Sequence, residues 1–369
     1  MLFPTMEVGS LRKAPFITGD RGRAVEAARR WGLRLSVPQY ERLVQHLSGG
    51  SWDEKILLDW ASIYGLKFFE AAGLDIIYDG EARRHEMYEH PIRYVEGFSF
   101  RGLVRVWDNE YYYKAAVTDR PRLKANYHLE EFLFNREHTS KPLKVPITGP
   151  YTLADWSFDE YYLAGKTGEN PAEIRREARH EMAMDLARYV VGPVARSLAE
   201  NGATHIQVDE PAAATKPSEV ELVVDAVNEV VKGLNAEVTV HICYTDYSLL
   251  LPSILDMRIA NLSISCSNAD TTSLGMDPSA RRGFKILELF REYSPGFRVA
   301  PGVIDVHTDF IESPQLVRDR LLYSARGLDD PAKVVACNDC GLRTRSWEVA
   351  FEKELSLVEG ARLAREALG

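Results

Sequence analysis

Eight short apolar runs recur along this chain with amphipathic stretches between most of them, and that alternation restricts the fold more than any other feature. The runs cover 5–8, 74–78, 143–148, 204–208, 237–242, 261–264, 298–303 and 333–336. Short apolar runs bounded by turn residues read as strands, and longer stretches of 3.6-residue periodicity read as helices. Asn170-Pro171 with Glu173 marks a helix start: a capping side chain, proline at the first helical position and a carboxylate in the first turn. Asn201-Gly202 supplies the left-handed stop for that helix, and a second helix opens at Pro217-Ser218 and closes at Gly233. Eight strands alternating with helices over 369 residues predict an α/β chain, a (β/α)8 TIM barrel. No Gly-x-Gly-x-x-Gly turn or phosphate loop follows a run, which argues against an open dinucleotide-binding sheet. The stretch 98–119 alternates like a hairpin and is expected to be a β-hairpin excursion between strands two and three. With no linker, low-complexity tract or internal repeat, residues 1–369 read as one barrel domain.

In such a barrel the functional groups collect at the C-terminal ends of the strands. The runs here end in Ser10, Asp79 and Glu81, Thr148, Asp209 and Glu210, His241 and Cys243, Ser265 and Cys266, Asp305 and His307, and Asn338 through Cys340. All four cysteines lie in the last third of the chain. His241 and Cys243 are two apart, so their side chains share one side of a strand. An imidazole–thiolate pair with further thiols at other strand ends is the donor set of a tetrahedral zinc site. The alternative for a free cysteine is an inert core position, which suits Cys337 in the middle of its run. For His241, Cys243 and Cys340 the pattern favours zinc. Thiols without close spacing suggest no disulfide framework, so a reducing cytoplasm is expected. A net charge of −9 argues against a nucleic-acid or anionic-membrane partner. No apolar stretch is long enough to span a bilayer, and the opening residues do not read as a signal peptide. A small substrate is expected.

Five segments then carry a resemblance: 147–158, 206–212, 241–247, 301–307 and 338–347, together with Val8-Gly9-Ser10. They resemble the catalytic C-terminal barrel of cobalamin-independent methionine synthase, and the likeness runs over nearly the whole chain. Members of that family fuse two related barrels, of which the second holds zinc and homocysteine. This chain is about half as long and resembles the stand-alone core form. The resemblance implies a zinc-dependent transfer of a methyl group to the thiol of homocysteine. It implies that Glu81 and Asp209 take the substrate ammonium and that His307 protonates the departing amine, with Asp305 two residues away to orient it. It also implies that Trp156 stacks on a folate ring. Ser10 and neighbouring backbone N–H groups suit the substrate carboxylate. The chemistry is consistent, because a free thiol is only a few per cent thiolate at neutral pH and coordination to zinc deprotonates it.

The sequence departs from the family at one ligand. Ser265 stands where the family has a zinc-binding glutamate, with Cys266 immediately after it. Two readings stand: Cys266 takes the fourth position, or the site keeps three protein ligands and an open place for the incoming thiol. The methyl donor is open between a methylated folate, a methylated pterin and a corrinoid, delivered free or by a partner protein. Two other functions share the zinc pattern. One is thiol addition to an epoxide by coenzyme M, whose sulfonate would favour a basic pocket over Glu81 and Asp209. The other is a non-catalytic zinc-binding accessory barrel.

Overall fold

The computed structural model describes residues 1–49, 53–107 and 110–369. Its strands are β1 (Val95–Trp107), β2 (Glu110–Leu123), β3 (Lys144–Thr148), β4 (Phe158–Asp159), β5 (His205–Asp209), β6 (Glu237–Ile242), β7 (Asn261–Ile264), β8 (Arg298–Ile304) and β9 (Cys337–Asn338). Six of them form one parallel sheet in the order β3-β5-β6-β7-β8-β9. Neighbours in that order are consecutive in the chain apart from the short β4, and helices or short helical turns separate them, as parallel pairing requires. β1 and β2 pair antiparallel, and β4 adds to β2.

The runs at 5–8, 74–78 and 333–336 do not form ladders of their own. They are joined by single parallel bridges, Thr5 to Ala336, Met6 to Ile76, Ile77 to Leu143 and Val299 to Val334. Beyond Met6 the backbone is claimed by side chains instead. Lys144 Nζ donates to the carbonyls of Glu7 and Val8, and Gln207 Nε2 donates to Val8 O at 2.5 Å. A carbonyl held this way has no need of a ladder partner, so the strand stops where the polar interior begins.

The helices begin where the sequence places caps. Asn170 accepts from Ala172 N at 3.0 Å ahead of the helix Pro171–Leu186. That helix continues through a π-helical turn, Ala187–Val191, into the helix Gly192–Glu200. Ser313 caps the helix Pro314–Leu328 and Ser346 caps Trp347–Leu368 by the same side-chain-to-backbone bond. The helices cover the sheet with Val, Leu and Ala, and the sheet's outward residues, among them Val145, Ile147, Ile206, Val208, Val240 and Ile264, are fully buried beneath them. Each such side chain contributes roughly 1.5–3 kcal/mol relative to exposure. The opposite side of the same strands carries Lys144, Gln207, Asp209, Thr239, His241 and Ser263, so the period of two sends every second residue toward a polar interior. Among the described residues no helix is long and apolar enough to cross a membrane.

Candidate active site

His241 is the fifth residue of β6, and the ladder sets it beside Asp209 on β5 and Ser263 on β7. Its Nδ1 lies 3.0 Å from Ser263 Oγ, which orients the ring. Its Nε2 is buried and has no hydrogen-bond partner. Cys243 follows one residue after the end of β6, and Cys340 lies two residues after β9. The ligand atoms of His241, Cys243 and Cys340 all lie within 4.8 Å of one another, the one such cluster among the described residues.

The donor set fits a zinc ion. A buried imidazole nitrogen without a partner normally costs free energy, and a metal bond removes that cost. The Cys340 thiol is pushed well above its usual range, first by its contact with Cys243 and then by burial. Two thiols side by side resist ionising together, whereas a dication between them reverses that electrostatic sign. One imidazole and two thiols make a soft, three-coordinate set with room for a fourth group.

Cys266 is not brought into this cluster. It lies at 0 % exposure in the apolar core, and burial pushes its thiol well above the usual range. Asp339 organises the turn around it: Oδ1 accepts from Cys266 N at 2.7 Å and Ser267 N at 2.9 Å, and Oδ2 accepts from Asn268 N at 2.7 Å. Ser265 is turned to the same segment, its Oγ donating to Asp339 O at 2.7 Å. Burial pushes the Asp339 carboxyl up to about 7, against the pull of those three N–H donors.

Of the residues expected to meet substrate, Asp209 pairs with His241 across the β5–β6 ladder, Ser10 abuts Gly341 and His307 neighbours Tyr244. Asp209 is half-buried and takes a 2.7 Å hydrogen bond from Gln207 Nε2, while Gln207 Oε1 accepts from Lys144 Nζ at 2.5 Å. Burial pushes Asp209 up to about 6, with His241 and Gln207 opposing and Glu81 reinforcing that shift. Glu81 is held at φ +59, a left-handed conformation unusual for a residue with a side chain, and its N–H is bound by Asp79 Oδ1 at 2.9 Å. Such strain persists only where the surroundings over-determine it. Ser10 abuts Gly341, the residue after Cys340, so closely that a side chain at 341 would collide with its hydroxyl.

His307 is exposed, its ring 4.9 Å from that of Tyr244, the residue after Cys243. Asp305 Oδ1 accepts the backbone N–H of His307 at 2.9 Å, so this carboxylate shapes the turn beneath the imidazole. Trp156 packs in an aromatic group with Tyr88 and Tyr112, ring centroids 6.4 and 5.8 Å away, which joins the rim to β2. Glu210 is turned away from the site: its carboxylate accepts from Tyr151 N at 3.0 Å and Thr152 N at 2.7 Å and so caps the helix Pro150–Asp155. An open cavity of about 410 Å³ lies alongside, bounded by Tyr244, Ser265, Asn268 and Arg282.

Residues 59–363 match the family described as cobalamin-independent synthase, catalytic domain. The chain belongs to that family. Proteins similar to this chain include the methionine synthase of Thermoplasma volcanium, 38% identical over 333 residues that span 87% of this chain and 93% of that one. The methionine synthase of Pyrococcus abyssi is 37% identical over 309 residues, 84% of this chain and 82% of its own. Among solved structures, a B12-independent methionine synthase from Shewanella sp. W3-18-1 in complex with selenomethionine superposes with a TM-score of 0.76 at 24% identity, covering 100% of this chain and 99% of that one; it supports the fold. The chain is a methyltransferase, and its family implies methyl transfer to homocysteine.

Three residues at or behind the rim have no role assigned from the sequence: Asp339, Tyr244 and, buried behind it, Glu312. Asp339 and Tyr244 adjoin the motif cysteines, and that adjacency was the available signal. Tyr244 sits at φ +52, with a buried hydroxyl that has no partner.

Proposed function

We propose that this chain is a zinc-dependent homocysteine methyltransferase, built as one (β/α)8 barrel with β1 and β2 as its excursion. The bridges at Thr5, Met6, Ile77 and Val299 support a closed ring, because they link the ends of the six-stranded sheet through the runs at 5–8 and 74–78. The observation that carries the chemistry is the partnerless, buried Nε2 of His241 within 4.8 Å of two thiols.

His241, Cys243 and Cys340 hold the metal, and the fourth place stays open for the substrate sulfur. The core position of Cys266 favours this over a fourth cysteine ligand. When bound, zinc supplies charge that keeps the homocysteine sulfur deprotonated near neutral pH. Asp209 and Glu81 bind the substrate ammonium, and Gln207 fixes the orientation of Asp209. Ser10 takes the substrate carboxylate beside Gly341. As the homocysteine sulfur takes the methyl group, that group's bond to the donor breaks; where the donor atom is a folate or pterin nitrogen, His307 gives that nitrogen a proton, and Trp156 offers its face to the donor. The donor is a methylated folate, pterin or corrinoid.

The test is zinc per purified chain together with zinc-edge X-ray absorption during homocysteine addition. One zinc and one added sulfur scatterer are expected. Absence of zinc, or an unchanged sulfur count, refutes the reading. Methionine formed from homocysteine with 5-methyltetrahydrofolate or methylcobalamin then identifies the donor.

A further inference from the structure

Behind the rim, buried charges tie the segment that carries His307 to two helices. Glu312 is 1 % exposed. Its Oε1 accepts the backbone N–H of Asp305 at 2.8 Å, and its Oε2 lies 2.8 Å from Lys353 Nζ on the helix Trp347–Leu368. Lys353, itself fully buried, also donates to Phe310 O. Arg320 on the helix Pro314–Leu328 lies 3.6 Å from Glu312 Oε1 and donates to Val303 O at 2.8 Å. The two ends of the segment 305–312 are thus drawn together by one carboxylate. Asp305 passes that constraint on, because its own Oδ1 holds the His307 N–H.

We infer that Glu312 is a positioning residue for His307, acting through the Asp305 N–H to fix where the imidazole stands over the rim. The inference rests on the reading of His307 as the proton donor. Among the described residues the His307 ring has no hydrogen-bond partner, and its ring neighbour is Tyr244. Its placement therefore depends on the backbone that carries it. Stability alone gives little reason for the pair: a buried ion pair is often replaced by apolar residues of similar volume without loss. An apolar side chain at 312 could not accept the Asp305 N–H, and that bond is what the carboxylate adds. A shift on the order of 1 Å in a catalytic group lowers turnover by about 100-fold.

The test uses two variants of the full chain: Glu312→Gln, whose amide oxygen can still accept the Asp305 N–H, and the pair Glu312→Leu with Lys353→Met, which removes that acceptor together with the facing cation and leaves Arg320 its 3.0 Å contact with Asp270. Each is made with and without His307→Ala. Turnover is followed as methionine formation with whichever of 5-methyltetrahydrofolate or methylcobalamin the parent uses. The expected result is a kcat of the Leu–Met pair lowered roughly 10- to 100-fold with zinc content and homocysteine KM unchanged, no further loss on top of His307→Ala, and a kcat within a few-fold of the parent for Glu312→Gln, which keeps the acceptor. Equal losses in both backgrounds, or an unchanged kcat of the Leu–Met pair, overturn the positioning role. A His307→Ala variant of full activity removes the proton-donor reading itself, and the inference with it. Independently of turnover, the His307 ring resonances in the NMR spectrum shift in the Leu–Met pair; unchanged resonances there also overturn the inference.

Discussion

Replacing Glu7 by glutamine should make this protein more stable at neutral pH. Glu7 is 1 % exposed, and neither carboxylate oxygen has a hydrogen-bond partner. Burial pushes its carboxyl from 4.5 up to about 8; Lys144 opposes the shift, and Glu354, Glu81 and Asp209 add to it. Between those two values the folded state keeps a proton that the unfolded state has released. Stability contributed by this group is therefore complete below pH 4.5 and falls as pH rises toward 8. Integrating that difference gives a loss of about 1 kcal/mol at pH 5 and about 3 kcal/mol at pH 7. An amide has no ionised form to disfavour, so Glu7→Gln removes the pH-dependent part. Urea unfolding of both proteins at pH 5, 6, 7 and 8, followed by tryptophan fluorescence, measures it. The glutamine variant should gain roughly 2 kcal/mol on the parent between pH 5 and pH 7. A pH-independent difference, or a variant less stable than the parent at pH 7, would show that Glu7 is ionised and paired with Lys144, and the reasoning fails.

Three further outcomes are expected. Cys340→Ser removes one of three clustered donors; dividing the roughly 10–16 kcal/mol of a four-ligand zinc site among its ligands makes zinc bind about 100-fold more weakly, while Cys266→Ala keeps its zinc in the same chelator competition. Asp209→Asn should retain zinc and weaken homocysteine binding by about 1.5–3 kcal/mol, the worth of a hydrogen bond to a charged group, as read by calorimetry. Gly302→Ala should lower the unfolding free energy read from urea titration by about 1–3 kcal/mol, because its methyl would fall 2.5 Å from Asp339 Cα and 2.6 Å from Asp339 N.

Periodicity and end signals announced much of the fold. The capping Asn170, the proline after it and Gly202 at φ +98 bound the long helical stretch as expected. Six of the eight runs contribute strands of the parallel sheet or lead directly into one. The spacing of His241 and Cys243 is likewise local information, since residues two apart on an extended chain must share a side. What could not be seen was how far each run would pair. At 5–8 the carbonyls are taken by Lys144 and Gln207, which are 136 and 199 residues from Val8. Cys266 illustrates the same limit. Its position at a strand end allowed either a ligand or a core thiol, and the three backbone bonds to Asp339 place it in the core.

The sequence by itself determined the alternation of elements, the chemical kind of each rim residue and the donor set for a soft metal. These follow from side-chain identity and from periods of 2 and 3.6 residues, which act over a few positions. Only the tertiary structure decided which donors meet. It brought Cys340 to Cys243 across 97 positions, left Cys266 beneath Asp339 and set Glu312 under the His307 turn. The physical reason is that a contact between distant segments depends on the summed packing and hydrogen-bond satisfaction of everything between them. No local pattern encodes that sum.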